Sequence, residues 1–417
     1  MALTSHVLEQ DFPPPPEPGL TPSEIIARAE AMVPTLVERQ AETEERTFYA
    51  PDTHEAFAAA GFYRILVPRR YGGYEFGLGT FMRVVMTLAR GCPSTGWMYC
   101  LGAAHALVAA TLFEERAQAE FFGAGDFICP AVVAATGTAE RADDGHWVVN
   151  GTWAYCSGAP YATHFIGHAL VAGEQGQPPR PLMFLIPRDR LRVLDDWGRQ
   201  LGLKGSGSHS ITVENARIPD HFVLDATHLS DVTVTGGTPG LTLHGNPQYG
   251  GAPLSSMAVE GAALAVGMAQ GALDVYEELV RTKQTLTPPI VTRADSPDYQ
   301  LWYGKAFGMV AAAEAMVLSA IQQWDDLCAR GPAAFTVEED FRIAMICRES
   351  AALAWRAVEE VIQPTAGSGA VRAGERLERI WRDLSTGHSH AGFAVLLTTT
   401  INRALAQIRL GRQAAEH

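Results

Sequence analysis

Three changes of pattern along this 417-residue chain predict an α+β protein: helices first, a β region in the middle, and long helices at the end. Apolar residues recur at helical spacing from Ile25 to Leu112, and a β-branched, aromatic strand signal takes over from about residue 127. Helical spacing returns at Met257 and runs on through two long segments. The expected organisation is a flexible Pro-rich arm over 1–20, a helical domain over 21–126, a β domain over 127–235 and a helical domain over 236–417.

The arm carries Pro13 to Pro16 and Pro18, which lack backbone donors and cannot continue a helix. Thr21-Pro22-Ser23-Glu24 then reads as a helix start, with a capping Thr, Pro at the first helical position and an acid in the first turn. Gly61, Gly72 and Gly73 suit tight turns between helices. Over 79–122, Phe81, Val84, Val85 and Leu88 form one apolar face and Trp97, Leu101, Ala104, Leu107 and Leu112 another. In the β region, Trp147 to Gly151 and Trp153 to Tyr155 suggest a hairpin through Asn150-Gly151. With 165–171, 182–186 and 210–213 they predict a barrel or sandwich. The final helices span roughly 257–281, 297–329 and 337–363, the last with Ala344, Cys347, Ala351, Trp355, Val358 and Ile362 on one face.

A net charge of −14 without blocks of like charge speaks against nucleic acid or an anionic membrane as partner. Six scattered cysteines with no Cys-x-x-Cys pair are expected to be reduced thiols in a cytoplasmic protein. No basic segment followed by an apolar run opens the chain, and its apolar stretches are interrupted before membrane-spanning length. Gly-x-Gly-x-x-Gly, Walker and Gly-x-Ser-x-Gly patterns are missing, which disfavours the nucleotide folds and hydrolases built on them. His388-x-His390 has no acidic neighbour to complete a metal site, so no metal is expected.

Three stretches carry candidate chemistry. The first is Trp153-Ala154-Tyr155-Cys156-Ser157-Gly158, where a hydroxyl and strand-end N–H groups could meet a polar ring edge; the plain alternative is a turn serine. The second is Gly202 to Ser210, whose Ser206 and Ser208 sit in a loop able to offer backbone N–H groups to an anion. The third is Leu377 to His390, a helix end with Arg382-Asp383 followed by His388 and His390. His105, on an apolar helix, reads equally as a satisfied core residue. Arg281 reads equally as a basic helix end favoured by the macrodipole.

Glu378-Arg379-Ile380-Trp381-Arg382-Asp383 resembles the "ER-x-x-RD" run of the acyl-CoA dehydrogenase superfamily, and the other two stretches follow its order. That resemblance implies a C-terminal four-helix bundle and a homotetramer. The dehydrogenases often place a catalytic glutamate soon after this run, but no Asp or Glu lies between Asp383 and Glu416. With histidines there instead, the chain resembles the superfamily's flavin-dependent monooxygenases, such as p-hydroxyphenylacetate and secosteroid phenol hydroxylases. The implied enzyme is the oxygenase component of a two-component system. A reductase supplies reduced FMN or FAD, and a C4a-hydroperoxyflavin hydroxylates a phenol-type substrate with O2. Ser157 is then expected at flavin N5, with Trp153, Tyr155 and Gly158 beside the ring, and Ser206 and Ser208 in the cofactor loop. His390, favoured over His388 by its spacing from Arg382-Asp383, and His105 would deprotonate or orient the phenol. Arg281 would reach the flavin of a neighbouring subunit, and Arg382 and Asp383 would form an ion pair beside the flavin. An acyl-CoA dehydrogenase, an N-hydroxylase or S-oxygenase, and a non-catalytic scaffold are the alternatives.

Overall fold

The computed structural model describes residues 13–123, 125–173 and 176–412, so most of the expected arm lies outside the described residues. Of its described end, Leu20 is buried, and Glu17 pairs with Arg28. Seven helices follow: α1 (Pro22–Glu38), α2 (Gln40–Arg46), α3 (Pro51–Ala59), α4 (Leu78–Gly91), α5 (Pro93–Ala103), α6 (His105–Leu112) and α7 (Glu115–Phe122). The start of α1 is the capping box the residues predict: the Glu24 N–H donates to the Thr21 hydroxyl, and the Thr21 N–H to the Glu24 carboxylate at 2.8 Å. Helix α5 begins at Pro93 straight after extended Cys92, and all but one of its residues are buried. It is a central rod rather than an amphipathic surface helix.

The middle of the chain forms β1 (Ala131–Arg141), β2 (Trp147–Trp153), β3 (His164–Val171), β4 (Arg180–Pro187), β5 (Arg192–Val193), β6 (Ile211–Ile218) and β7 (Val223–Asp225). They make one seven-stranded sheet in the order β5-β6-β2-β1-β3-β4-β7, antiparallel except for β1 against β3. The expected barrel or sandwich is therefore a single sheet, because alternation along strands does not say which strands pair. Nor is Asn150-Gly151 a hairpin turn. It sits inside β2 as an irregularity in the pairing with β6, where Asn150 Oδ1 accepts from the Asn215 N–H. The hairpin turns instead at Asp143-Asp144, where the Gly145 N–H donates to the Ala142 carbonyl and Gly145 follows at φ +84°. Gly151 is needed for another reason: a Cβ there would meet Gly137 Cα at 2.7 Å and the Trp153 ring at 2.8 Å.

The last part holds α8 (Pro239–His244), α9 (Pro253–Thr282), α10 (Pro297–Arg330), α11 (Val337–Ala357), α12 (Gln363–Ala366), α13 (Arg376–His388) and α14 (Asn402–Arg409). Wider π turns extend α11 over Val358–Ile362 and link α13 to α14 over Gly392–Ile401. Helix α9 packs against α4, α5, α10, α11 and α13, which ties the first and last helical parts together. Contrary to the sequence reading, α9 and α10 are long and apolar enough, by length and composition alone, to span a membrane. Helix α9 spends that apolar character inside the bundle. Helix α10 leaves much of its own on the surface.

Candidate functional site

The site lies where the end of β2, the 202–210 loop, α5 and α13 meet, and Asp383 holds them together. Its Oδ1 accepts from the Leu203 N–H at 2.6 Å and its Oδ2 from the Ser94 hydroxyl at 2.9 Å. Ser94 Oγ in turn accepts from the Gly205 N–H at 3.3 Å. Gly202 fits because it has no side chain: a Cβ would lie 2.1 Å from the Arg382 carbonyl oxygen. Its N–H donates to Thr386 Oγ1 at 2.8 Å, a second clasp between loop and α13. Burial pushes the Asp383 carboxyl up to about 6 against the pull of these donors.

Above this base runs a row of buried polar side chains. The Trp97 indole N–H donates to Ser157 Oγ at 3.0 Å, Ser157 and Ser208 hydroxyls lie 2.7 Å apart, and Ser208 and Ser206 hydroxyls 2.6 Å apart. Ser206 donates to the Leu203 carbonyl at 2.7 Å. Gly158 (φ +95°) and Gly207 (φ +57°) turn the two backbones so that the Gly158 N–H donates to the Gly207 carbonyl. Beside the row, Tyr155 is held at φ +61°, 65% exposed as a residue, its ring edge-on to Trp197 at 5.5 Å.

Trp97 also joins the row to the histidines. Its ring stands edge to face with His390 at 5.6 Å. His390 is exposed at the surface, outside the lining of the apolar recess, and crowding by its surroundings lowers its pKa. Its Nδ1 accepts from the Gly392 N–H at 3.3 Å, which leaves Nε2 to carry the proton of the neutral ring. His388 lies flat on Trp355, 4.2 Å between centroids and 6° between planes, and burial followed by nearby Arg348 lowers its pKa. His388, Trp355, Trp97 and Phe393 line a small, otherwise apolar recess of about 20 Å3 with Ala265, Met268 and Leu384. The buried Trp355 indole N–H has no hydrogen-bond partner among the described residues.

Other expected site residues fall elsewhere. Trp153 is fully buried in the sheet, donating to the His168 carbonyl and packed on Phe165 and Phe184, so its ring has no surface to offer a cofactor. Tyr155, two residues on, would share that inward face in a continued strand, but β2 ends at Trp153 and the positive φ of Tyr155 turns its ring outward. Arg382 and Asp383 are not an ion pair with each other. Arg382 binds Glu378 (2.5 Å), Glu44 (3.0 Å) and the Leu201 carbonyl, so protein acceptors engage all three of its nitrogens. His105 is buried, with Nδ1 2.8 Å from the Cys129 carbonyl, and burial lowers its pKa to about 4. It does not line the recess. Arg281 is an exposed helix end paired with Glu277. Trp97, Ser94, Thr386 and Trp355 are what the sequence reading missed. The first lies in a stretch whose apolar spacing reads as core, and its distinguishing N–H contact reaches Ser157, 60 residues further on.

The residues present fit the polar edge of a flavin. They offer a serine hydroxyl at a strand end, an exposed aromatic ring beside it, and a small apolar recess on the far side of Trp97.

Known proteins give the same class. Residues 23–121 match the acyl-CoA dehydrogenase N-terminal domain family and residues 260–395 its C-terminal domain family. A pigment production hydroxylase of a Rhodococcus species is 30% identical over 375 residues, covering 89% of this chain and 93% of that protein. The oxygenase subunit of a flavin-dependent monooxygenase of Rhodococcus jostii is 30% identical over 367 residues, covering 87% and 93%. The Streptomyces protein XiaF, solved in complex with FADH2 and glycerol, superposes with a TM-score of 0.84 at 25% identity, covering 95% of this chain and 97% of that one. The fold is thus that of the acyl-CoA dehydrogenase superfamily. Within it, this chain belongs to the oxygenase components of flavin-dependent monooxygenases, which use reduced flavin and O2.

Proposed function

We propose that this oxygenase component hydroxylates a phenol-type aromatic held between Trp97, His390 and the recess behind them. The observation that carries this reading is the double role of Trp97, whose N–H meets Ser157 and whose ring meets His390. One rigid side chain thereby sets the distance between the proposed flavin edge and the proposed substrate oxygen. A reduced flavin bound there supplies the activation of O2. The protein's own residues do the rest. Ser157 fixes the flavin edge, the apolar recess excludes water, and Trp97 separates the two groups. His390, carrying its proton on Nε2, would donate to the oxygen of a substrate bound as its phenolate and so orient the electron-rich ring. His388 and the Trp355 N–H, unpaired among the described residues, would receive a second polar group of the substrate. His105, by contrast, is proposed to brace the site from within the core through its bond to the Cys129 carbonyl.

A flavin reductase working with NAD(P)H is the partner this reading requires, in a cytoplasmic two-component system. Incubating the chain with a reductase, FMN or FAD, a panel of phenols and isotopically labelled O2 tests it: one labelled oxygen should appear in a hydroxylated product. Reduced flavin consumed with only peroxide formed, for every phenol and both flavins, would reject it. We also propose a homotetramer, covering the apolar surface of α10, where Leu301 is 68% and Phe307 54% exposed. Light scattering should give four chains, and Leu301→Glu with Phe307→Glu should give fewer.

A further inference from the structure

We propose that the row from Trp97 through Ser157, Ser208 and Ser206 to Leu203 is a one-way hydrogen-bond chain that makes the site select reduced over oxidised flavin. This rests on the reading above, in which Ser157 meets flavin N5.

The direction follows from counting hydrogens. Three oxygen–oxygen contacts of 2.7, 2.6 and 2.7 Å connect Ser157, Ser208, Ser206 and the Leu203 carbonyl. Each needs one hydrogen between its oxygens, since two lone pairs at that distance repel. Only three hydroxyl hydrogens exist to fill them, and the carbonyl brings none. Ser206 must therefore donate to Leu203, Ser208 to Ser206, and Ser157 to Ser208. At the other end, the Trp97 N–H can only donate, and it takes one lone pair of Ser157 Oγ. Ser157 is left with a single lone pair and no hydrogen to give. All three serines and Trp97 are buried, so water does not readily reset the order.

An acceptor-only hydroxyl discriminates between the two states of flavin. Reduced flavin carries a hydrogen on N5 and can donate to it, whereas oxidised N5 offers a lone pair and would face another. Ser206 and Ser208 then act as positioning residues, through the proton they oblige Ser157 to surrender. They need not touch the cofactor. The same polarity favours release of flavin once it is fully oxidised, which a system fed with reduced flavin from a separate reductase requires.

The test is to measure dissociation constants for oxidised and anaerobically reduced flavin, and the midpoint potential of the bound flavin, in four proteins. These are the wild type, Ser206→Ala, Ser208→Ala and Ser157→Ala. In Ser208→Ala the Ser157 hydrogen loses its acceptor and turns to the flavin. In Ser206→Ala it is Ser208 that loses its acceptor, turns back toward Ser157, and frees the same hydrogen. Both variants should bind oxidised flavin more tightly and cut the preference for reduced flavin about tenfold. The bound potential should fall by about 30 mV for that tenfold change in a two-electron couple. A merely structural role would weaken both states alike and leave ratio and potential unmoved. If both stay unmoved while Ser157→Ala weakens reduced flavin, the chain is not the selector, although Ser157 is at the flavin. If Ser157→Ala changes neither affinity, the placement of Ser157 is itself wrong.

Discussion

Trp97 and Trp355 show what one side chain settles in this site. Both were visible in the sequence only as apolar residues at helical spacing, and that reading is correct for their rings. What the spacing does not encode is where an indole N–H ends up. Trp97 gives it to Ser157, while Trp355 has no partner for it among the described residues although the atom is buried. An unpaired buried donor costs about 1–3 kcal/mol, so Trp355→Phe should be at least as stable as the wild type in urea denaturation. The same variant should lose several-fold in affinity for a phenol bearing a second polar group. A drop in stability without any change in substrate affinity would show the N–H to be paired within the protein. The histidines were better signalled, because two of them close behind a helix end in an acid-free segment are conspicuous. Their separate roles were not, since they depend on Trp355 lying under one and Trp97 beside the other.

Among the elements, the helices were the most legible: α1 starts at its capping Thr21, and α10 and α11 lie where their apolar faces placed them. Asn150-Gly151 misled because the same dipeptide suits a turn or an irregular strand, and only the glycine contact with Gly137 across the sheet decides between them. Arg382-Asp383 misled for a similar reason. Neighbours in a helix point to different sides, so opposite charges at adjacent positions do not face one another. Asp383 instead clamps the 202–210 loop, taking the Leu203 N–H and the Ser94 hydroxyl. Asp383→Ala would leave both donors unsatisfied in the interior and should cost about 3 kcal/mol in chemical denaturation. It should weaken flavin binding as well, because Ser206 and Ser208 ride on that loop. Full stability in Asp383→Ala would mean that the loop is held by other contacts.

At the scale of the whole molecule, α9 joins the helical parts and carries a buried acid, Glu260, within that junction. Burial holds its pKa well above the ordinary carboxylate value. The folded chain therefore keeps a proton that the unfolded chain gives up above about pH 4.3. Between those two pKa values the unfolded state binds fewer protons, so stability falls as pH rises, by up to about 1.4 kcal/mol per pH unit for one group. Glu260→Gln, neutral and nearly isosteric, should remove that slope. Its stability advantage over the wild type should grow from pH 5 to pH 8 in denaturant titrations. An advantage that stays constant with pH would show that Glu260 ionises freely in the folded protein.

The measurement closest to the central claim is rapid mixing of the anaerobic complex with reduced FMN or FAD against O2, followed by the flavin absorbance. The site built by Trp97, Ser157 and His390 predicts reoxidation in resolved phases, slower than for free flavin, with a phenol hydroxylated in the same interval and the phases merging in Ser157→Ala. Reoxidation in a single step at the rate of free flavin, together with bleaching of bound FAD by an acyl thioester without O2, would contradict it.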